Sequence, residues 1–176
     1  MQFEPLILDG AWLVVPDPHR DHRGQFARTF CVREFMEQGL ETTFVQHSTS
    51  RTLKRHTIRG MHFQHDPHSE VKLVTCTRGA IYDVIVDLRP GSRTYKQWCG
   101  VTLSSENQHR LYVPQGFAHG FQTLTDDAEV SYLISAYYEP AASSGVRYDD
   151  PAFAIQWQEP PADMSDKDRT WPDFTG

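Results

Sequence analysis

Leu73-Val74-Thr75-Cys76-Thr77-Arg78-Gly79-Ala80-Ile81-Tyr82-Asp83-Val84-Ile85-Val86-Asp87-Leu88-Arg89-Pro90-Gly91-Ser92 is the stretch that decides the architecture of this chain. It holds two apolar runs rich in β-branched residues. Arg78-Gly79 joins them and Arg89-Pro90-Gly91-Ser92 closes the second. Runs of this length and composition read as strands, and the Gly and Pro-Gly junctions read as tight turns. Further strands are expected at Trp98 to Leu103, Arg110 to Val113, Phe121 to Leu124 and Val130 to Ser135. One helix is expected from Val32 to Gln38, stopped by Gly39. From Pro140 onward Pro, Ala, Ser and Asp dominate, which predicts loops and short helical turns wrapped around the body. Many short strands with frequent turns predict an all-β sandwich or barrel. No repeat, low-complexity tract or long linker interrupts the 176 residues. A single domain over 1–176 is therefore expected.

Composition excludes several functions. The formal charge of -6 argues against broad electrostatic binding of nucleic acid, although a local basic patch can still hold a small anion. No apolar run approaches the roughly 20 residues that span a bilayer, so no membrane partner is expected. Met1-Gln2-Phe3-Glu4-Pro5-Leu6 lacks the basic-then-apolar layout of a signal peptide. Cys31, Cys76 and Cys99 are odd in number and widely spaced, which fits neither a disulfide framework nor a zinc cluster. A reduced, cytoplasmic protein is the expectation.

The chemistry concentrates between Thr57 and Lys72, T-I-R-G-M-H-F-Q-H-D-P-H-S-E-V-K. Arg59 is a cation for an anionic ligand, His62 a base and Lys72 a stabiliser of oxyanion charge. Together they suit a site that removes a proton next to a carbonyl. An imidazole with a reference pKa of about 6.5 accepts a proton near neutrality. A carboxylate would fix its tautomer. Asp83, Asp87, Asp149, Asp150, Asp166 and Asp168 are all candidates, and spacing does not choose among them.

Pro114-Gln115-Gly116-Phe117-Ala118-His119 has the form P-x-G-x-x-H, a turn that delivers a histidine onto a strand and recurs in cupin barrels. Metal-binding cupins add an earlier H-x-H pair and a glutamate. Here the earlier segment is His62-Phe63-Gln64, and glutamine is a poor ligand for divalent transition metals. His65, His68 and Glu70 do not return to the face of His62 at a period of two. No metal is expected. Tyr132, in Glu129-Val130-Ser131-Tyr132, is a third candidate for proton transfer.

Together these segments resemble the dTDP-4-dehydrorhamnose 3,5-epimerase family. The matching blocks are D-x-R-G-x-F at Asp21 to Phe26, I-R-G-M-H-F-Q at Ile58 to Gln64 and K-L-V at Lys72 to Val74. They continue with G-A-I-Y-D-V-I-V-D-L-R at Gly79 to Arg89, L-S-S-E-N at Leu103 to Asn107 and P-Q-G-F-A-H-G-F at Pro114 to Phe121. D-D-P at Asp149 to Pro151 and S-D-K-D at Ser165 to Asp168 complete the series.

The resemblance implies an all-β cupin jelly-roll barrel with short helices and a C-terminal loop and helical extension. It also implies a homodimer that uses no metal or organic cofactor. The implied activity is that of an isomerase in deoxysugar biosynthesis. It inverts carbon-3 and carbon-5 beside the keto group of a nucleotide-diphosphate 4-keto-6-deoxy sugar. By position, His62 would be the base, Asp168 its carboxylate and Tyr132 the acid on the opposite face. Lys72 would stabilise the enolate. Arg59 would contact the diphosphate, and His119 would share the pocket. Gln46 and Tyr138, with Arg23 and Phe26 of a neighbouring subunit, would hold the nucleotide.

The chain departs from the family pattern at several points. The family's G-x-F-x-E becomes Gly24-Gln25-Phe26-Ala27-Arg28, so Arg28 stands in place of a glutamate. Ser48 stands where asparagine is usual, His56 replaces a glycine, and Arg93 interrupts S-P-T. The proton-transfer set is intact, while Arg28 and Ser48 mark a possible change of nucleotide. Two other readings share the fold, a metal-dependent cupin such as a dioxygenase and a non-catalytic nucleotide-sugar binder.

Overall fold

A computed structural model describes residues 1–176. In chain order the elements are β1 Gln2–Pro5, β2 Trp12–Val15, β3 His19–Asp21, β4 Gly24–Phe26, α1 Val32–Glu37, β5 Gln46–Thr52, β6 Ile58–Gln64 and β7 Lys72–Arg78. They continue as β8 Ala80–Asp87, β9 Trp98–Ser104, β10 Arg110–Val113, β11 Phe117–Thr123, β12 Ala128–Ile134, β13 Ser143–Gly145 and α2 Asp166–Arg169. One sheet runs β1-β2-β10-β7-β12-β5, the second β13-β6-β11-β8-β9, and β3-β4 is a separate hairpin. All pairings within the sheets are antiparallel. Two facing antiparallel sheets with short helices form the jelly roll of a cupin.

The deciding stretch forms β7 and β8, which lie in different sheets. Arg78-Gly79, read from the sequence as a tight turn, is therefore a crossing between layers. Gly79 takes φ +72, in the left-handed region that a residue with a Cβ adopts rarely. On β8, Ile81 and Ile85 enter the core between the sheets with Val74, Leu111, Phe121 and Val130. Val84 and Val86 enter a second cluster with Met61, Ala118, Phe153 and Ile155 on the other side. Burial on both faces explains the nearly unbroken apolar run. Outside the six-stranded sheet, Phe35 of α1 is fully buried with Val14, Leu73 and Tyr112.

Several boundaries differ from expectation. The strand expected at Phe121 begins at Phe117, so His119 sits inside it. The helix ends at Glu37, with Gln38 as its cap and Gly39 at φ +69. No strand is expected from the sequence at β1 to β6 or at β13. β5, Gln-His-Ser-Thr-Ser-Arg-Thr, is an edge strand with an almost wholly polar sequence. Its residues face the cleft or solvent, so the apolar signal of a strand is missing.

Candidate active site

The cleft of about 760 Å³ opens between the two sheets. β5, β6, β11 and β12 supply most of its wall, and α2 closes one side. Arg59 and His62 are three residues apart on β6, yet both side chains reach the cleft. In a regular strand that spacing puts them on opposite faces. Opposite them, Phe121 pairs with Arg59 and His119 with His62, so β6 carries one residue more than β11 over this interval. That bulge turns both side chains to one side. It centres on Gly60, at φ +117, where a Cβ would stand 2.6 Å from the Cα of Gly120. The I-R-G-M-H motif thus has a backbone reason for its glycine.

His62 Nε2 lies 2.6 Å from Asp168 Oδ1. Asp168 is buried on α2 and is held in place twice. The Gly60 N–H donates to its Oδ2 at 3.2 Å, and its own N–H donates to the Ser165 hydroxyl that caps α2. Burial raises the Asp168 carboxyl, but the hydrogen bonds and charge of His62, with Gly60 and Ser165, outweigh it and hold the carboxyl below its ordinary value. An ionised carboxylate only accepts hydrogen bonds, so His62 must donate from Nε2. Its Nδ1 is then the basic nitrogen, on a side chain left half exposed in the cleft. The structure thus selects Asp168 from the six aspartates that spacing left open. Asp83 pairs with His119 and Asp87 with Arg89. Asp149 pairs with Arg147, and Asp150 accepts backbone N–H bonds from Ala152 and Phe174.

His119 is buried, with Nε2 2.7 Å from Asp83 Oδ1. Lys72 opens β7 and its ammonium lies 2.8 Å from Glu70 Oε1, with both side chains largely buried. The second oxygen of Glu70 has no partner. Glu70 is therefore committed to Lys72 and does not join His65 and His68 as a set of ligands. His65 packs edge-on to Phe63 beyond the end of β6. Gln64 is buried, and its amide meets the backbone of His68, Tyr137 and Glu139. No three His, Cys, Asp or Glu side chains converge as a metal site would require.

Tyr132 on β12 presents its hydroxyl to Ser50 Oγ of β5 at 2.9 Å. Burial pushes the phenol well above its ordinary range; the Ser50 hydrogen bond pulls it down and the Asp83 charge adds to the rise. Arg59 donates to the Thr52 hydroxyl at 2.8 Å and points its guanidinium along the cleft wall. Gln46 accepts the Tyr138 N–H at 2.8 Å, which fixes the exposed Tyr138 at the rim. Ser48 lies opposite Tyr132 and also lines the cleft.

Arg23 and Phe26 lie on the β3–β4 hairpin, exposed and away from the cleft of their own chain. Arg28 pairs with Glu34 at 3.3 Å and also lies off the cleft. Several lining residues were not singled out by the sequence. Lys167 sits within the S-D-K-D block cited for Asp168, and Ser50 two residues past Ser48. In the sequence Glu70 stands out only as a potential metal ligand beside His65 and His68. The signal for each was adjacency to a named residue.

A jelly roll whose cleft holds a histidine–aspartate pair, a lysine and a partly buried tyrosine defines a cupin-type epimerase. The family model described as dTDP-4-dehydrorhamnose 3,5-epimerase matches residues 5–176. The chain is 44% identical over 167 residues to the dTDP-4-dehydrorhamnose 3,5-epimerase of Methanothermobacter thermautotrophicus, covering 93% of this chain and 89% of that one. It is 39% identical over 158 residues to the dTDP-4-dehydrorhamnose 3-epimerase of Streptomyces niveus, covering 89% and 76%. A crystal structure of the 3,5-epimerase from Bacillus anthracis with TDP and PPi bound superposes with a TM-score of 0.95. It is 40% identical and covers 98% of this chain and 99% of that one. The chain belongs to the dTDP-4-dehydrorhamnose 3,5-epimerase family, isomerases that act on nucleotide sugars.

Proposed function

We propose that this protein epimerises a nucleotide-diphosphate 4-keto-6-deoxy sugar through an enolate, without a metal or organic cofactor. The observation that carries the reading is the placement of two proton-transfer groups about one cleft. They are His62, paired with Asp168, and Tyr132, hydrogen-bonded to Ser50. Inversion needs a proton removed from one face and returned to the other, and two such groups divide that work. His62 Nδ1 takes the proton beside the keto group, while Asp168 holds the ring and balances the imidazolium. Negative charge moves to the carbon-4 oxygen, where the Lys72 ammonium meets it. Tyr132, kept protonated by its burial, returns a proton to the carbon. Every step is a proton transfer with no change of oxidation state, so the sugar supplies all the electrons involved.

Arg59 has the fork geometry suited to diphosphate oxygens, and Lys167 of α2 adds a second cation to the cleft lining. His119 contacts the sugar region. Gln46 and the Tyr138 ring hold the nucleoside end. Arg23 and Phe26 serve the cleft of a second copy in a homodimer, a role supported by a hairpin that pairs with neither sheet of its own chain and leaves Phe26 exposed. The protein works as one domain over 1–176. Its three free cysteines suit a reduced cytoplasm. No helix is long and apolar enough to cross a membrane, and the net charge of -6 disfavours nucleic acid. Ser48 on the cleft wall, and Arg28 carried to the cleft of the second copy with Arg23 and Phe26, leave the base open to a carrier other than thymidine.

A panel of dTDP-, UDP-, CDP- and GDP-linked 4-keto-6-deoxy sugars tests the reading. Product stereochemistry at carbon-3 and carbon-5 is read for each. Inversion with one carrier supports it, and no inversion with any of the four refutes it.

A further inference from the structure

We propose that Ser50 is the proton relay that reloads Tyr132 after each inversion, an inference that rests on the reading of Tyr132 as the acid. Ser50 Oγ is the one hydrogen-bond partner of the Tyr132 hydroxyl, at 2.9 Å, and Tyr132 is the one partner of Ser50 Oγ. Register explains the contact. Ser50 pairs with Val130 and Tyr132 with Ser48, so Ser50 and Tyr132 are diagonal neighbours on one face of the β5–β12 pair. The other polar groups near the phenol are committed elsewhere. His119, edge-on to the ring with centroids 6.2 Å apart, spends Nε2 on Asp83, and the Arg59 Nε–H is held by Thr52. Ser50 itself lines the cleft, so its hydroxyl has the phenol on one side and the cleft on the other.

A relay is needed because the phenol packs against the main core, and a sugar placed to take its proton would cover the side that opens to the cleft. Its high proton affinity makes the phenolate left after donation a strong base that must be quenched before another turnover. A serine hydroxyl both donates and accepts, so it passes a proton on without carrying net charge. In the step proposed, the Ser50 O–H bond breaks as the Tyr132 O–H bond forms. Ser50 takes a replacement proton from water in the cleft. The His62 imidazolium releases the abstracted proton to solvent, which balances the one withdrawn. No electrons change hands.

The test compares wild type, Ser50→Ala, Ser50→Thr and Tyr132→Phe on a dTDP-linked 4-keto-6-deoxyhexose, or on whichever carrier the panel selects. Single-turnover and steady-state inversion and solvent deuterium exchange are all measured. Ser50→Ala should show a first turnover near the wild-type rate and a steady state slower by about 10-fold or more, with exchange changed by less than about 3-fold. Ser50→Thr keeps the hydroxyl and should stay within about 3-fold of wild type at steady state. A Ser50→Ala enzyme with wild-type steady-state inversion would overturn the relay. So would one that loses first and later turnovers equally, since Ser50 would then only position the ring. A folded Ser50→Thr enzyme as slow as Ser50→Ala would also overturn it. Wild-type inversion by Tyr132→Phe would instead remove the reading of Tyr132 itself.

Discussion

His62 Nε2 and Asp168 Oδ1 stand 2.6 Å apart, although 106 residues separate them in the chain. The Gly60 N–H and the Ser165 cap hold the carboxylate, so the pair is organised before substrate arrives. Asp168→Asn keeps the size of the side chain but can present an N–H to the ring. That change would favour the wrong tautomer of His62. Proton exchange should slow by roughly 10²–10⁴-fold with little change in KM. Steady-state kinetics on the folded variant checks this, and exchange within threefold of wild type counts against the dyad.

The Glu70–Lys72 pair gives a second prediction. Lys72→Met should lower the rate of exchange by roughly 10²–10³-fold, the usual loss when a preorganised oxyanion donor is removed. Glu70 anchors the ammonium at 2.8 Å. Glu70→Gln preserves a hydrogen-bond acceptor there and should stay closer to wild type than Glu70→Leu. Equal activity of the two variants would show that the anchor has no part in placing Lys72.

Gly60→Ala should be among the most damaging small substitutions. The obstacles to a Cβ are backbone atoms of His119 and Gly120, and φ is +117, so neither rotamer changes nor a neighbouring side chain can relieve them. A loss of at least about 2 kcal/mol in urea unfolding is expected. Activity should fall further than stability explains, because the bulge turns Arg59 and His62 to one face. An alanine variant with wild-type stability would mean that the bulge can be built another way.

Acid stability should depend on Asp87. Burial raises this carboxyl, but Arg89, Ser92 and Thr94 all donate to it and bring it down from the usual 3.8 to about 2. A depressed carboxyl stabilises the fold above its unfolded pKa. That contribution is lost as pH falls from about 4 to about 2, and it is on the order of 2 kcal/mol at neutrality. Asp87→Asn should therefore destabilise the protein at pH 7 and flatten its stability between pH 4 and 2. A variant with the same pH slope as wild type would refute this assignment.

Much of this was legible in the sequence. β7 and β8 announce themselves because apolar side chains fill both faces of β8. His119 was visible through the Pro114-Gln115-Gly116 turn, in which Ser69 receives both the Gln115 amide and the Gly116 N–H. Asp168 could not be chosen by spacing, since the choice depends on α2 packing against β6. Ser50 and Glu70 were hidden for a similar reason. Each acts through a neighbour that only strand pairing or a buried ion contact brings close. β5 escaped notice because a polar cleft-lining edge strand looks like a loop.

The most direct measurement of the central claim is deuterium incorporation at carbon-3 and carbon-5 of a 4-keto-6-deoxy nucleotide sugar in D2O, comparing wild type with His62→Ala. Wild type should incorporate deuterium at one or both carbons, and His62→Ala none above background. Incorporation by His62→Ala at the wild-type rate would contradict it.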